Sequence, residues 1–174
     1  LYDRGAAPLQ AYALQVFSDW TDNFSTELRV AYNDVNFQQA SVNGTDFGEV
    51  QIRDGGNTIY LGADDSRHSN QLDYSTLQIR LAGSYSYNDH LITGGYERLT
   101  YDIFNLFVQQ TEGEWRFDSI TDFQNGQAAR VYYGNAAGTN NPNDAGATFA
   151  YDVHTLYAQD EFRPHPDVTI TAGL

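Results

Sequence analysis

The sequence predicts an all-β protein. Its fold class is an antiparallel up-and-down transmembrane β-barrel, present as an incomplete segment of about six strands with long extracellular loops. Three observations predict it. Apolar and polar residues alternate with period two in several stretches. Those stretches are joined alternately by short turns and by long polar connections. Aromatic residues gather beside the short turns. The domain reading is one partial barrel over residues 1–174, with long loops at about 38–71 and 109–148.

The elements follow in order. From Ala11 to Trp20, Tyr12, Leu14, Val16 and Trp20 share one face, and Ala13, Gln15, Phe17 and Asp19 the other. Thr21-Asp22-Asn23 makes a short turn. The return strand sets Phe24, Leu28, Val30 and Tyr32 against Ser25, Glu27, Arg29, Ala31 and Asn33. A second hairpin alternates Leu77, Ile79, Leu81, Tyr85 and Tyr87 with Gln78, Arg80, Ala82, Ser84 and Ser86. It turns at Asn88-Asp89-His90 and returns through Ile92, Gly94 and Tyr96 towards Phe107. The third runs from about Phe149 to Phe162, turns over Arg163 to Asp167, and leaves along Val168, Ile170 and Ala172. In this last pair Asp160 shares parity with Leu156, Ala158 and Phe162, against the apolar trend. Short strands such as Thr58–Leu61 and Arg130–Tyr133 fit inside the long connections. Gly, Thr and Tyr within the segments disfavour helices.

A barrel accounts for the asymmetry of the connections. Backbone groups in lipid must all be paired, so a spanning sheet closes on itself. Such barrels have short turns at one end and long loops at the other. Trp20, Phe24, Tyr85, Tyr87 and Phe162 lie where a lower aromatic girdle belongs. The same alternation also fits an antiparallel sheet with one wet face, as in a β-sandwich.

Composition sets the exclusions. The chain has 174 residues, 23 Asp plus Glu and only 9 basic residues, all Arg, for a net charge of −14. That balance argues against nucleic-acid binding. Cys is absent, which excludes disulfides and thiolate chemistry. No run approaches the roughly 20 apolar residues of a spanning helix. Met is absent, and the sequence ends within a strand pattern, so the reading is a portion of a longer chain.

Several stretches resemble the β-barrel of TonB-dependent outer-membrane receptors, in particular the Oar-like group. These are His90-Leu91-Ile92-Thr93-Gly94-Gly95-Tyr96-Glu97-Arg98, Phe104-Asn105-Leu106-Phe107 and Phe117 to Gly126. The most telling is Leu156-Tyr157-Ala158-Gln159-Asp160-Glu161-Phe162, followed after a turn by Val168 to Leu174. The resemblance implies a receptor and transporter of the outer membrane of a Gram-negative bacterium, serving TonB-dependent nutrient uptake. The implied partners are the lipid bilayer, the remaining strands and plug of a barrel of about 22 strands, the TonB system acting through that plug, and a small-molecule, peptide or glycan ligand. No plug and no TonB-contacting box occur in this sequence. The alternatives are a surface adhesion or structural outer-membrane barrel, or a soluble carbohydrate-binding β-sandwich.

Candidate site residues are few. Glu27, Arg29, Gln78 and Arg80 are expected to face the lumen, with Arg80 against a neighbouring acidic residue. Trp115, Tyr132 and Tyr133 form a possible ligand surface in the second long loop, since aromatic faces and amides together suit sugars or peptides. Asp54, Asp64 and Asp65 lie in a Gly-rich acidic loop without a calcium-loop motif, and a solvated loop is the simpler reading. His68, His90, His154 and His165 are dispersed, and His90 and His165 fit turns. No nucleophile elbow, phosphate loop or dinucleotide fingerprint occurs. The expectation is therefore a non-enzyme without metal or cofactor.

Overall fold

The computed structural model describes residues 2–3, 7–41, 44 and 46–174. Its strands are β1 (Tyr2–Asp3), β2 (Leu9–Thr21), β3 (Phe24–Gln38), β4 (Ala40–Ser41), β5 (Glu49–Asp54), β6 (Asn57–Leu61), β7 (Ser69–Tyr87), β8 (His90–Val108), β9 (Glu114–Phe117), β10 (Arg130–Tyr132), β11 (Ala147–His165) and β12 (Val168–Gly173). One short helix, α1 (Ile120–Gln124), follows β9, and single 3-10 turns lie at Asp65–Arg67 and Pro142–Ala145.

The strands form a six-stranded sheet in the order β12-β11-β8-β7-β3-β2, a four-stranded sheet in the order β10-β9-β5-β6, and the small pair β1-β4. The long strands and their turns lie where alternation and turn chemistry set them. Asn88 takes φ 50° in the two-residue turn between β7 and β8, a left-handed conformation that Asn tolerates. The bonds Asn33–Thr76 and Ser86–Asn23 run in opposite senses along β3 and β7, so that pair is antiparallel. Tyr96–His154, Arg98–Asp152 and His90–Asp160 establish the same for β8 and β11.

The chain divides into two compact units. The first comprises Leu1–Pro8, Val35–Asp73 and Ile103–Phe149, and the second Leu9–Asp34, Tyr74–Asp102 and Ala150–Leu174. The second unit holds most of the six-stranded sheet. One side of it carries a ladder of polar side chains. Leu14, Leu81, Leu156 and Ile170 are exposed. The first unit contains the four-stranded sheet and has a core of Ile52, Ala63, Leu106 and Phe117. Helix α1 packs against β5 and β9, with Phe123 edge-on to Phe117 at 5.3 Å between ring centroids. Ser119 caps the helix: its Oγ accepts the Asp122 N–H at 3.0 Å and its hydroxyl donates to Asp122 Oδ2 at 2.7 Å.

These sheets correct the barrel expectation. The six-stranded sheet is open, with β2 and β12 at its two edges. The regions at about 38–71 and 109–148, expected as extracellular loops, instead pair with one another. Strand β5 runs parallel to β9, Glu49 opposite Glu114 and Ile52 opposite Phe117. An up-and-down antiparallel barrel contains no such pair. The transmembrane β-barrel and the TonB-dependent, Oar-like receptor identity are therefore withdrawn. With them go the functional and partner expectations that depended on a closed ring of strands: transport, the outer-membrane placement, the lipid bilayer, the plug and its missing strands, and the TonB system. What stands is a mostly β chain with two main sheets and the small β1-β4 pair. Among the described residues no helix is long and apolar enough to cross a membrane.

Candidate functional site

The site is built on one face of the four-stranded sheet. Cross-strand partners share a face, so the register sorts the side chains. Glu49, Gln51 and Arg53 of β5 lie with Glu114 and Arg116 of β9. Arg130 and Tyr132 of β10 join them opposite Arg116 and Glu114. Tyr60 and Thr58 of β6 complete the face opposite Gln51 and Arg53. The other face carries Val50, Ile52, Trp115, Phe117, Val131, Ile59 and Leu61. Alternation thus gives this small sheet one apolar side, against which α1 packs, and one that is almost wholly polar.

At one end of the polar face lies a buried network. Glu114 is fully buried. Its carboxylate accepts from the Arg116 Nε–H and, at 2.9 Å, from Gln110 Nε2. The same Gln110 amide donates to Asp65 Oδ2 at 3.1 Å. Gln110 holds φ 61°, a strained conformation for its residue type, fixed by backbone bonds to Asp65 and from Gly113 and Gly134. Glu49 Oε2 accepts the Asp65 N–H at 2.9 Å and Oε1 accepts from Gln51 at 2.5 Å. Nearby, the Glu112 N–H donates to His68 Nδ1, so Nε2 carries the proton and donates to the Ala63 carbonyl at 3.2 Å.

The Arg116 guanidinium extends from this network over the Tyr132 ring, 4.7 Å from its centroid. Its hydrogen bond to Glu114 raises its pKa above the usual arginine value. Beyond it opens a depression of about 200 Å³. The lining includes Gln51, Arg53, Thr58, Arg116, Asp118 and Arg130. Arg53 and Asp118 stand 3.8 Å apart, both largely exposed. Donors therefore predominate, with Asp118 as the one carboxylate in the lining. The arrangement can orient a polar ligand. It places no nucleophile beside a base.

The sequence-predicted residues divide between the units. Trp115 lies on the apolar side, packed against Gly48 and Gly113, where a Cβ would collide with its ring. Tyr132 is on the polar face beneath Arg116. Tyr133 lies just past β10, donating to Asn140 Oδ1 at 2.6 Å and accepting from Asn135 at 3.1 Å. Glu27, Arg29, Gln78 and Arg80 are in the second unit, within the polar ladder. Gln15 donates to Glu27 at 2.6 Å, Arg29 to Glu27 at 3.2 Å, and Gln78 to Glu97. Arg80 was expected against an acidic residue. It donates to the Tyr157 hydroxyl at 3.1 Å, which raises its pKa, and the Glu27 and Glu97 carboxylates add to the shift. Asp160 accepts its place because His90 Nδ1 lies 2.8 Å from its carboxylate, with the imidazole stacked on Phe162.

For a cation, Asp64 and Asp65 come together with Glu49, their oxygens within 4.8 Å of one another. Asp54 is at the opposite end of β5, across from Asn57. Sequence reasoning missed Gln51, Arg53, Arg116 and Arg130. Their signal was the alternation in Glu49-Val50-Gln51-Ile52-Arg53 and in Glu114-Trp115-Arg116-Phe117, short enough to pass as loop. No family model, no curated protein and no solved structure matches the chain.

Proposed function

We propose that the chain is a carbohydrate-binding β domain, with the polar face of the four-stranded sheet as its binding surface and no covalent chemistry of its own. Two separate sheets and a buried polar network support this reading over a receptor segment. The observation that carries it is the depression. Gln51, Thr58 and three guanidinium groups offer donors there, and Asp118 offers an acceptor, while Tyr60 and Tyr132 lie on the same face of the sheet. Sugars present hydroxyls that both donate and accept, on rings whose C–H faces lie well against aromatic side chains. Its volume is below the roughly 300–1,000 Å³ of enclosed small-molecule pockets. An open face of that size suits one ring at a time of a longer glycan.

The bound side chains are pre-positioned, which lowers the ordering cost of binding. Glu114 anchors Arg116 by a charge-assisted bond, and Glu49 anchors Gln51. The test is calorimetric titration of the full chain with a panel of neutral and acidic oligosaccharides. Saturable binding is expected, weakened roughly fivefold or more by Gln51→Ala or Tyr60→Ala, in line with the loss of one hydrogen bond or one contact. Absence of binding by every oligosaccharide at millimolar concentration overturns the reading.

A further inference from the structure

We infer that the ligand of this face is an acidic glycan, whose sugar carboxylate or sulfate is held by Arg130 together with Arg116. The inference rests on the carbohydrate-binding reading and narrows it. The chain has only nine basic residues against 23 acidic ones. Three of those nine, Arg53, Arg116 and Arg130, line one depression, with Asp118 the sole carboxylate in its lining. The same face carries Glu49 and Glu114, but both are buried, so at the depression itself three guanidinium groups stand against one carboxylate in a chain of net charge −14.

The register sharpens the point. Arg130 and Arg116 are directly opposite each other on β10 and β9. Like charges at directly opposed positions destabilise a sheet. Arg116 is tied at Nε to Glu114, which leaves its terminal nitrogens as donors. Arg130 is exposed, and among the described residues no ion pair or side-chain hydrogen bond is made by it. An anionic group between the two guanidinium planes removes their repulsion and accepts paired N–H bonds from both. Thr58 and Gln51 then meet the ring hydroxyls. A neutral sugar leaves Arg130 without a charge partner, whereas Arg116 already has Glu114.

Three series of titrations at low salt test this: neutral oligosaccharides, the matching uronate-bearing and sulfated ones, and free sulfate or acetate. The acidic oligosaccharides are expected to bind at least tenfold tighter than the neutral ones. The preference should shrink as salt rises, as charge pairing at an open site requires. Arg130→Gln should lower acidic-glycan affinity roughly tenfold more than it lowers neutral-glycan affinity, as expected for losing a charged hydrogen bond. Arg163→Gln makes the same change in net charge on the six-stranded sheet and should leave both unchanged. Thermal unfolding of each variant verifies its fold. Equal binding of neutral and acidic oligosaccharides overturns the inference and leaves the carbohydrate reading standing. Equal losses in Arg130→Gln and Arg163→Gln also overturn it, by tracing the preference to overall charge. Free sulfate or acetate binding as tightly as the acidic oligosaccharides overturns it as well. Binding of no oligosaccharide at all removes both readings.

Discussion

The two units of this chain use the same alternation and reach different results. In the first, a sheet of only four short strands buries Ile52 and Phe117 beneath a helix of five residues, with a fully buried Glu114 nearby. In the second, much longer strands leave most of their large apolar side chains exposed, and Ala82 is its one buried apolar residue among those described. Strand length and regular patterning therefore do not set burial. What sets it is whether a second layer is built against the apolar side. In the first unit that layer comes from the chain immediately after β9, where Ser119 starts a helix and Phe123 meets Phe117.

Five substitutions probe this contrast. Trp115 lies in the first unit and Trp20 in the second, so variants retaining one Trp report each unit separately. The largest effect is expected from Phe117→Ala, about 3–5 kcal/mol as for other buried aromatics. Leu156→Ala, at a side chain 77% exposed, should change stability by no more than about 0.5 kcal/mol. Urea unfolding followed by fluorescence compares them, and similar shifts for both would break the contrast. Gly48→Ala comes next. A Cβ there would lie 2.6 Å from the Glu112 and Gly113 carbonyl oxygens as well as against the Trp115 ring. A loss of about 1–3 kcal/mol is expected, as for overpacking elsewhere, with a change in Trp115 emission.

Tyr157→Phe removes the hydroxyl that accepts from Arg80. It should cost about 1 kcal/mol, seen in Trp20 and not in Trp115 fluorescence. The smallest effect concerns Asp152. The Arg98 guanidinium, and then the Thr100 hydroxyl, hold its carboxyl below the ordinary value. A depressed carboxylate contributes stability that is complete above the ordinary carboxylate range and is lost as pH falls through the depressed value. Asp152→Asn should therefore flatten the acid side of the stability profile, most visibly at low salt, because the pair is open to water. Melting temperatures across acid pH measure this, and an unchanged acid slope would show that the pair contributes nothing.

Much of the second unit was legible. The Asp22-Asn23 and Asn88-Asp89 turns fall between patterned strands, because a two-residue turn and a period of two are both local properties. Coverage is not local, and there the reading went wrong. Exposed alternating faces suggested lipid, and long polar connections suggested loops outside it. Yet Val50 pairs with Trp115 across 65 positions of sequence, in parallel. No periodicity within either stretch announces such a partner. Tyr132 was singled out for its chemistry and does lie on the polar face, whereas Trp115, chosen for the same chemistry, is on the apolar one. Adjacent positions of a strand point apart, and aromatic content alone cannot say which points where. The arginines were overlooked because each is isolated in sequence. Only the register of β5, β9 and β10 gathers them.

Each unit is assembled from three separated stretches that interleave along the chain. On the ribosome this imposes an order. The first unit has all its residues once Phe149 has emerged, while the second still lacks β12 and most of β11. Synthesis at about 5–20 residues per second leaves an interval on the order of a few seconds between the last residue of the first unit and the emergence of β12. During it, the edge of β8 that will receive β11 has no partner, a state in which strands readily find wrong ones. Neither unit can be released by one cut, and a chain stopped near residue 150 would carry the polar face intact beside an unfinished sheet.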